Sequence, residues 1–223
     1  MNDRIVLIEN KNKEKLFETW QLFLLITAIT MLVYFAFQKF IMTQEVYYSL
    51  YGSQLEEHRI NDIISLTQKF QLWGLLATPI LIWLRIAFVA FLVQLPFMIK
   101  FIEVPFKEIF RIITIALFLL LLSVVIRFYY LYFQPIENIT SDLLTFTPLA
   151  ITNLLDKNNY SDLVFSFLSK INLFELLWGV VIYIGLLKTK KLEKIDYALI
   201  VFGVWIGILV LTFAFNIFIG TLL

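Results

Sequence analysis

Between Leu72 and Ile99 the chain reads LWGLLATPILIWLRIAFVAFLVQLPFMI, 28 residues with one formal charge, Arg85, at the middle. At about 1.5 Å of rise per residue, such a run crosses a hydrocarbon core about 30 Å thick. Four further apolar stretches cover residues 20–42, 109–133, 171–187 and 197–221. Including 72–97, these predict five spans. The expected fold is an all-α integral membrane protein of five transmembrane helices. It occupies residues 20–223 and follows a short polar tail over residues 1–19. A chain that is 61% hydrophobic and only 16% charged fits this, because soluble domains run near 25% charged. The polar start and the lack of a small-residue cleavage site after the first apolar run predict that all five spans persist.

The connections carry their own signals. Residues 43–70 form a polar link in which Ser53-Gln-Leu-Glu56 reads as a capping box opening a helix. Behind it Ile60, Ile63, Ile64 and Phe70 recur at helical spacing, which predicts an interfacial amphipathic helix feeding the second span. In the loop 134–170, Ser141-Asp142 and Ser161-Asp162 read as helix starts, and Pro148 and Asn158-Asn159 as breaks. Leu163, Val164, Phe167 and Leu168 make one apolar face there, so a second interfacial helix is expected on the membrane surface. An aromatic belt, Phe128 to Phe133, closes the third span.

Orientation follows from Lys and Arg. With the N-terminus inside, the tail and the 100–111 and 188–194 turns carry eleven of these cations, against six on the other side. The expected topology is N-in and C-out, in a bacterial inner membrane.

Charges inside spans carry the functional content. Arg85 costs roughly 2.5–3.5 kcal/mol on insertion scales, so it needs a partner or water. It shares a helix face with Gln71, Gly74 and Thr78, and Pro79 is placed to kink that helix. One reading is a structural charge, paired inside the bundle or snorkelling on its stem. The other is an anion-attracting vestibule. Glu175 in the fourth span and Arg127 in the third match in depth and are the expected ion pair, with Arg85 reaching the same cluster. Asn172, Glu175, Gly179 and Tyr183 share one face, which directs the carboxylate into the bundle. Gly203-Val-Trp-Ile-Gly207 is a GxxxG motif, read either as a dimer seam or as close packing within the chain.

Other chemistry finds little footing. With no cysteine, thiolate catalysis, disulfides and Cys-based metal sites are excluded. The single histidine, His58, sits among Glu56, Glu57 and Arg59 and reads as solvated; a zincin site needs two. Glu56-Glu57-His58-Arg59 has the wrong spacing for a CAAX-type intramembrane protease. No nucleophile elbow, Walker loop or dinucleotide fingerprint is present. The net charge of +1 argues against a nucleic-acid partner. No catalytic residue, metal or cofactor is assigned, and the chain is expected not to be an enzyme. Asn138-Ile-Thr140 and Asn159-Tyr-Ser161 match a glycosylation sequon on the expected outer side. The lysines of 188–194 set topology, and their attraction to anionic lipid comes second.

Residues 100–216 resemble the Yip1-type five-span membrane domain. Val104-Pro-Phe-Lys-Glu-Ile-Phe-Arg-Ile-Ile-Thr-Ile-Ala116 looks like that family's short turn into its third span. Thr147-Pro-Leu-Ala150 looks like its outer connection, and Asn172-Leu-Phe-Glu-Leu-Leu-Trp-Gly179 through Tyr183-Ile-Gly185 like its fourth-span pattern. The proline-bearing start of bacterial members and the tyrosine- and glycine-rich cytoplasmic region of eukaryotic ones are missing, so no role with small GTPases carries over. The resemblance implies a non-enzymatic scaffold or accessory subunit, or a part in membrane organisation and trafficking. Its partners are membrane lipids and a membrane protein or second copy. The alternative is a transporter or permease component whose anion or proton path is lined by Arg85, Glu175 and Arg127.

Overall fold

The computed structural model of the chain describes the backbone of residues 2–222 and the side chains of residues 19–218. Eight α-helices follow in order: α1 (Asn2–Phe40), α2 (Gln44–Tyr51), α3 (Glu57–Ile99), α4 (Phe106–Tyr132), α5 (Ser141–Leu144), α6 (Asp162–Leu168), α7 (Leu173–Leu187) and α8 (Lys194–Leu222). Short 3₁₀ turns punctuate the loop between α4 and α7. The strand-like pairing among the described residues is one antiparallel bridge, Ala150 to Asn172.

Among the described residues four segments are long and apolar enough to cross a bilayer: Thr19–Phe40, Glu57–Ile99, Phe106–Tyr132 and Lys194–Phe218. In lipid only a helix satisfies its own backbone, so such segments fold as helices and stay there. This is a multi-pass membrane protein. The expected fourth span, 171–187, is shorter than the others. Asn172 caps it by accepting from the Glu175 N–H at 3.0 Å, while Ile151 N–H bonds Ile171 O and Leu173 N–H bonds Leu149 O. These bonds hold residue 171 in the loop and leave a 15-residue helix, about 22 Å long against a core of about 30 Å.

The second span is longer than its apolar run suggests. Helix α3 has 43 residues, about 64 Å, and runs unbroken through Pro79 and Pro96. The expected interfacial helix is its first turns, and the expected capping box does not form. Glu56 occupies the N-cap without a side-chain hydrogen bond. Ser53 lies in the preceding turn, which Gln54 and Leu55 fasten to Tyr51 O. Ile60 and Ile64 bury themselves against Tyr47 of α2, so a neighbouring helix covers the face that the spacing assigned to the membrane surface. In the second loop Thr140 and Ser161 cap α5 and α6. Lys157 clamps the two together, 2.6 Å from Asp142 and 3.4 Å from Asp162, and the hydrogen bond to Asp142 holds its ammonium above the usual lysine range. Phe167 of α6 packs edge-on against Phe213 of α8, 5.1 Å between ring centres.

Helix α4 is the hub, packed against α1, α3 and α7. Ile109, Ile113 and Ala116 are fully buried there beside Ile86, Ala90 and Phe97 of α3 and Ile182 and Leu186 of α7. Lipid tails are as apolar as these side chains, so fit between surfaces, rather than escape from water, holds the helices together. Glycine provides the fit at two contacts. Gly185 lies against Ile112, whose Cγ2 would be 2.5 Å from an added Cβ, and Gly74 lies under the Tyr34 ring.

The end bearing the two short turns is tightly pinned. Helix α3 ends at Ile99, and just beyond it Phe101 takes a left-handed φ of 54° while Ile102 N–H reaches back to Phe97 O at 2.9 Å. At the α7–α8 turn the buried Tyr197 hydroxyl accepts from Lys191 N–H at 2.7 Å and Leu192 N–H at 2.9 Å. The Thr189 hydroxyl gives its proton to Leu186 O, so Tyr197 donates across the 2.7 Å contact to Thr189.

Candidate functional site

The intramembrane charges are placed by three different helices. Arg85 on α3 stands fifteen residues, about 22 Å, from Lys100 at the turn end. Its side chain is exposed on the bundle surface while the adjacent Ile86 is fully buried. On the same face, Thr78 turns its hydroxyl back onto Gly74 O at 2.9 Å, and Tyr34 of α1 lies over Gly74. Tyr34 therefore fills part of the space where a vestibule is expected.

Glu175 sits one turn into α7, half-buried. Among the described residues no ion pair within 4 Å joins it to Arg85 or to Arg127. Arg127 is occupied elsewhere: its Nη2 donates to Leu144 O, the last residue of α5, and so ties the long loop to α4. Its Nε is buried without a hydrogen-bond partner. Arg85 and Glu175 thus form no ion pair, and Arg127 anchors the loop instead.

The glycine motif is open. An added Cβ at Gly203 or Gly207 would meet nothing within 4 Å, so the motif makes no close contact within the chain. Both glycines line a groove of about 450 Å³ between α3 and α8. At its turn end Lys100 Nζ sits 2.7 Å from Asp196 Oδ1. Sequence reasoning missed this pair. Each residue is visible at the end of an apolar run, but nothing local indicates that α3 and α8 are neighbours.

The remaining candidates have surface or structural places. His58 is exposed, 3.3 Å from an exposed Glu56. The hydroxyls of both sequons act as helix caps: Thr140 accepts from Leu143 N–H and Ser161 from Val164 N–H. Among the described residues no three His, Asp or Glu side chains gather as a metal site.

Comparison with known families, curated proteins and solved structures finds no match.

Proposed function

We propose that the chain is a non-enzymatic membrane scaffold or accessory subunit that associates laterally with a partner through the α3 face carrying Arg85. The observation that carries this reading is the exposure of Arg85. A guanidinium within an apolar run needs an anion or water, and one pointing outward from the bundle is offered to whatever lies beside it. In this reading α7 crosses the bilayer as a short fourth span of five, the N-terminus lies inside and the C-terminus outside, and the membrane is a bacterial inner membrane. The α6 segment lies along the membrane surface. Kinship with the Yip1-type domain belongs to the same proposal and rests on the residue pattern of 100–216.

Transport ranks second. Among the described residues the packed interior is almost wholly apolar, with Thr27, Thr114 and Asn172 its buried polar side chains in α1, α4 and at the start of α7. Arg127 bonds the loop rather than joining Arg85 and Glu175 in one path.

The test is native mass after gentle extraction from the source membrane, comparing wild type with Arg85→Ala and Arg85→Lys. The expected wild-type species is a stoichiometric complex, lost in Arg85→Ala, retained in Arg85→Lys, with melting temperature changed by less than about 2 °C. A bare wild-type monomer would overturn the reading. Normal assembly in Arg85→Ala, with solute flux lost from reconstituted vesicles, would replace it with transport.

A further inference from the structure

We infer that the groove between α3 and α8 binds one anionic phospholipid of the turn-end leaflet. One acyl chain lies over Gly203 and Gly207, and the phosphate lies against Lys100.

The shape of the groove argues for an amphiphile. Its walls are apolar, with Leu92 and Pro96 from α3 facing Gly203, Gly207 and Leu211 from α8, and its polar groups lie at one end, Lys100 and Asp196. From Lys100 to Leu92 is eight residues, and from Asp196 to Leu211 fifteen, about 12 and 22 Å of rise. A single leaflet of the hydrocarbon core is about 15 Å deep. The groove therefore starts at headgroup level; its α3 wall ends within one leaflet, and its α8 wall continues about 7 Å past the midplane.

Charge selects the headgroup. Lys100 is about half exposed and has three donors, so its bond to Asp196 leaves two for phosphate oxygens. The adjoining turn adds Lys188, Lys190, Lys191 and Lys194 against the single acid Glu193. Each lysine near an anionic surface strengthens attraction about fivefold. Asp196 opposes the phosphate and is outnumbered. A transmembrane helix from a second copy is a poorer occupant, because it would run the full span whereas the open groove ends near Leu92 and Leu211.

The absence of cysteine makes the test clean. The full chain is reconstituted in phosphatidylcholine vesicles carrying spin-labelled phosphatidylglycerol or spin-labelled phosphatidylcholine, and motionally restricted lipid per chain is measured. Wild type is expected to favour phosphatidylglycerol about fivefold or more. Lys100→Gln should lower that preference about fivefold without removing restricted lipid. Gly203→Leu and Gly207→Leu, which have room for the side chain, should each remove about one restricted lipid per chain. Gly203→Cys under oxidising conditions should stay monomeric. Equal retention of the two lipids by wild type, unchanged retention in Gly203→Leu, or efficient Gly203→Cys dimers would each overturn the inference. The last outcome would assign the groove to a second copy.

Discussion

Helices α4 and α8 look alike as text and occupy opposite positions in the bundle. Their apolar windows have mean hydropathies of 2.8 and 2.6, yet 39% of the α4 window is buried against 6% for α8. In water that difference would appear as a polar face on the outer helix. In a bilayer it does not, because lipid and a neighbouring helix are equivalent solvents for leucine and isoleucine. What distinguishes the two is contact with other helices. Helix α4 packs against α1, α3 and α7, whereas α8 meets α7, α6 and the turn end of α3 and leaves Gly203 and Gly207 uncovered.

The sharpest way to break this comparison is to delete equal bulk on each helix. Ile113→Ala on α4, where the side chain is fully buried, should destabilise the bundle by about 2–5 kcal/mol. Leu211→Ala on α8, more than half exposed, should change stability by less than about 0.5 kcal/mol. Unfolding of the detergent-solubilised chain measures both, and similar losses would mean that α8 is covered in the extracted protein.

Added bulk gives a smaller contrast. A leucine at Gly185 on α7 drives into Ile112 of α4 and should cost about 1–3 kcal/mol. At Gly203 the same side chain meets open space and, in micelles without added phospholipid, should leave the melting curve in place.

A more local contrast lies within α8 itself, whose buried side chains, among the described residues, lie in its first turns while the rest is half-buried or exposed. Tyr197→Phe keeps the ring beside Phe97 but removes the acceptor for two turn amides. A loss of about 1 kcal/mol is expected, seen as faster amide exchange at Lys191 and Leu192 with the core unchanged. Unchanged exchange at those amides would show that the turn is held by its own backbone.

The individual candidate residues show why the sequence was informative in one direction and silent in another. Asn172 was legible as a polar residue at the start of an apolar run, and it caps α7. Depth alone pairs Glu175 with Arg127. Depth says nothing about azimuth, and Arg127 turns instead to Leu144 O in the loop. Ser53 and Glu56 matched a cap pattern, but the turn after α2 took Ser53 first. The GxxxG motif left two readings open, and only the neighbouring helices could show that its glycines face a gap.

By itself the sequence determined that the chain is helical and membrane-spanning, and where most of its apolar runs begin and end. Both follow from the cost of an unsatisfied backbone or side-chain charge in hydrocarbon, a cost paid residue by residue. Tertiary structure decided which helix sits at the centre, which way Arg85 faces, and that α3 and α8 leave a groove with a lysine at its mouth. Those are questions of rotation about each helix axis, and in a solvent as apolar as the side chains themselves only steric fit with the neighbouring helices answers them.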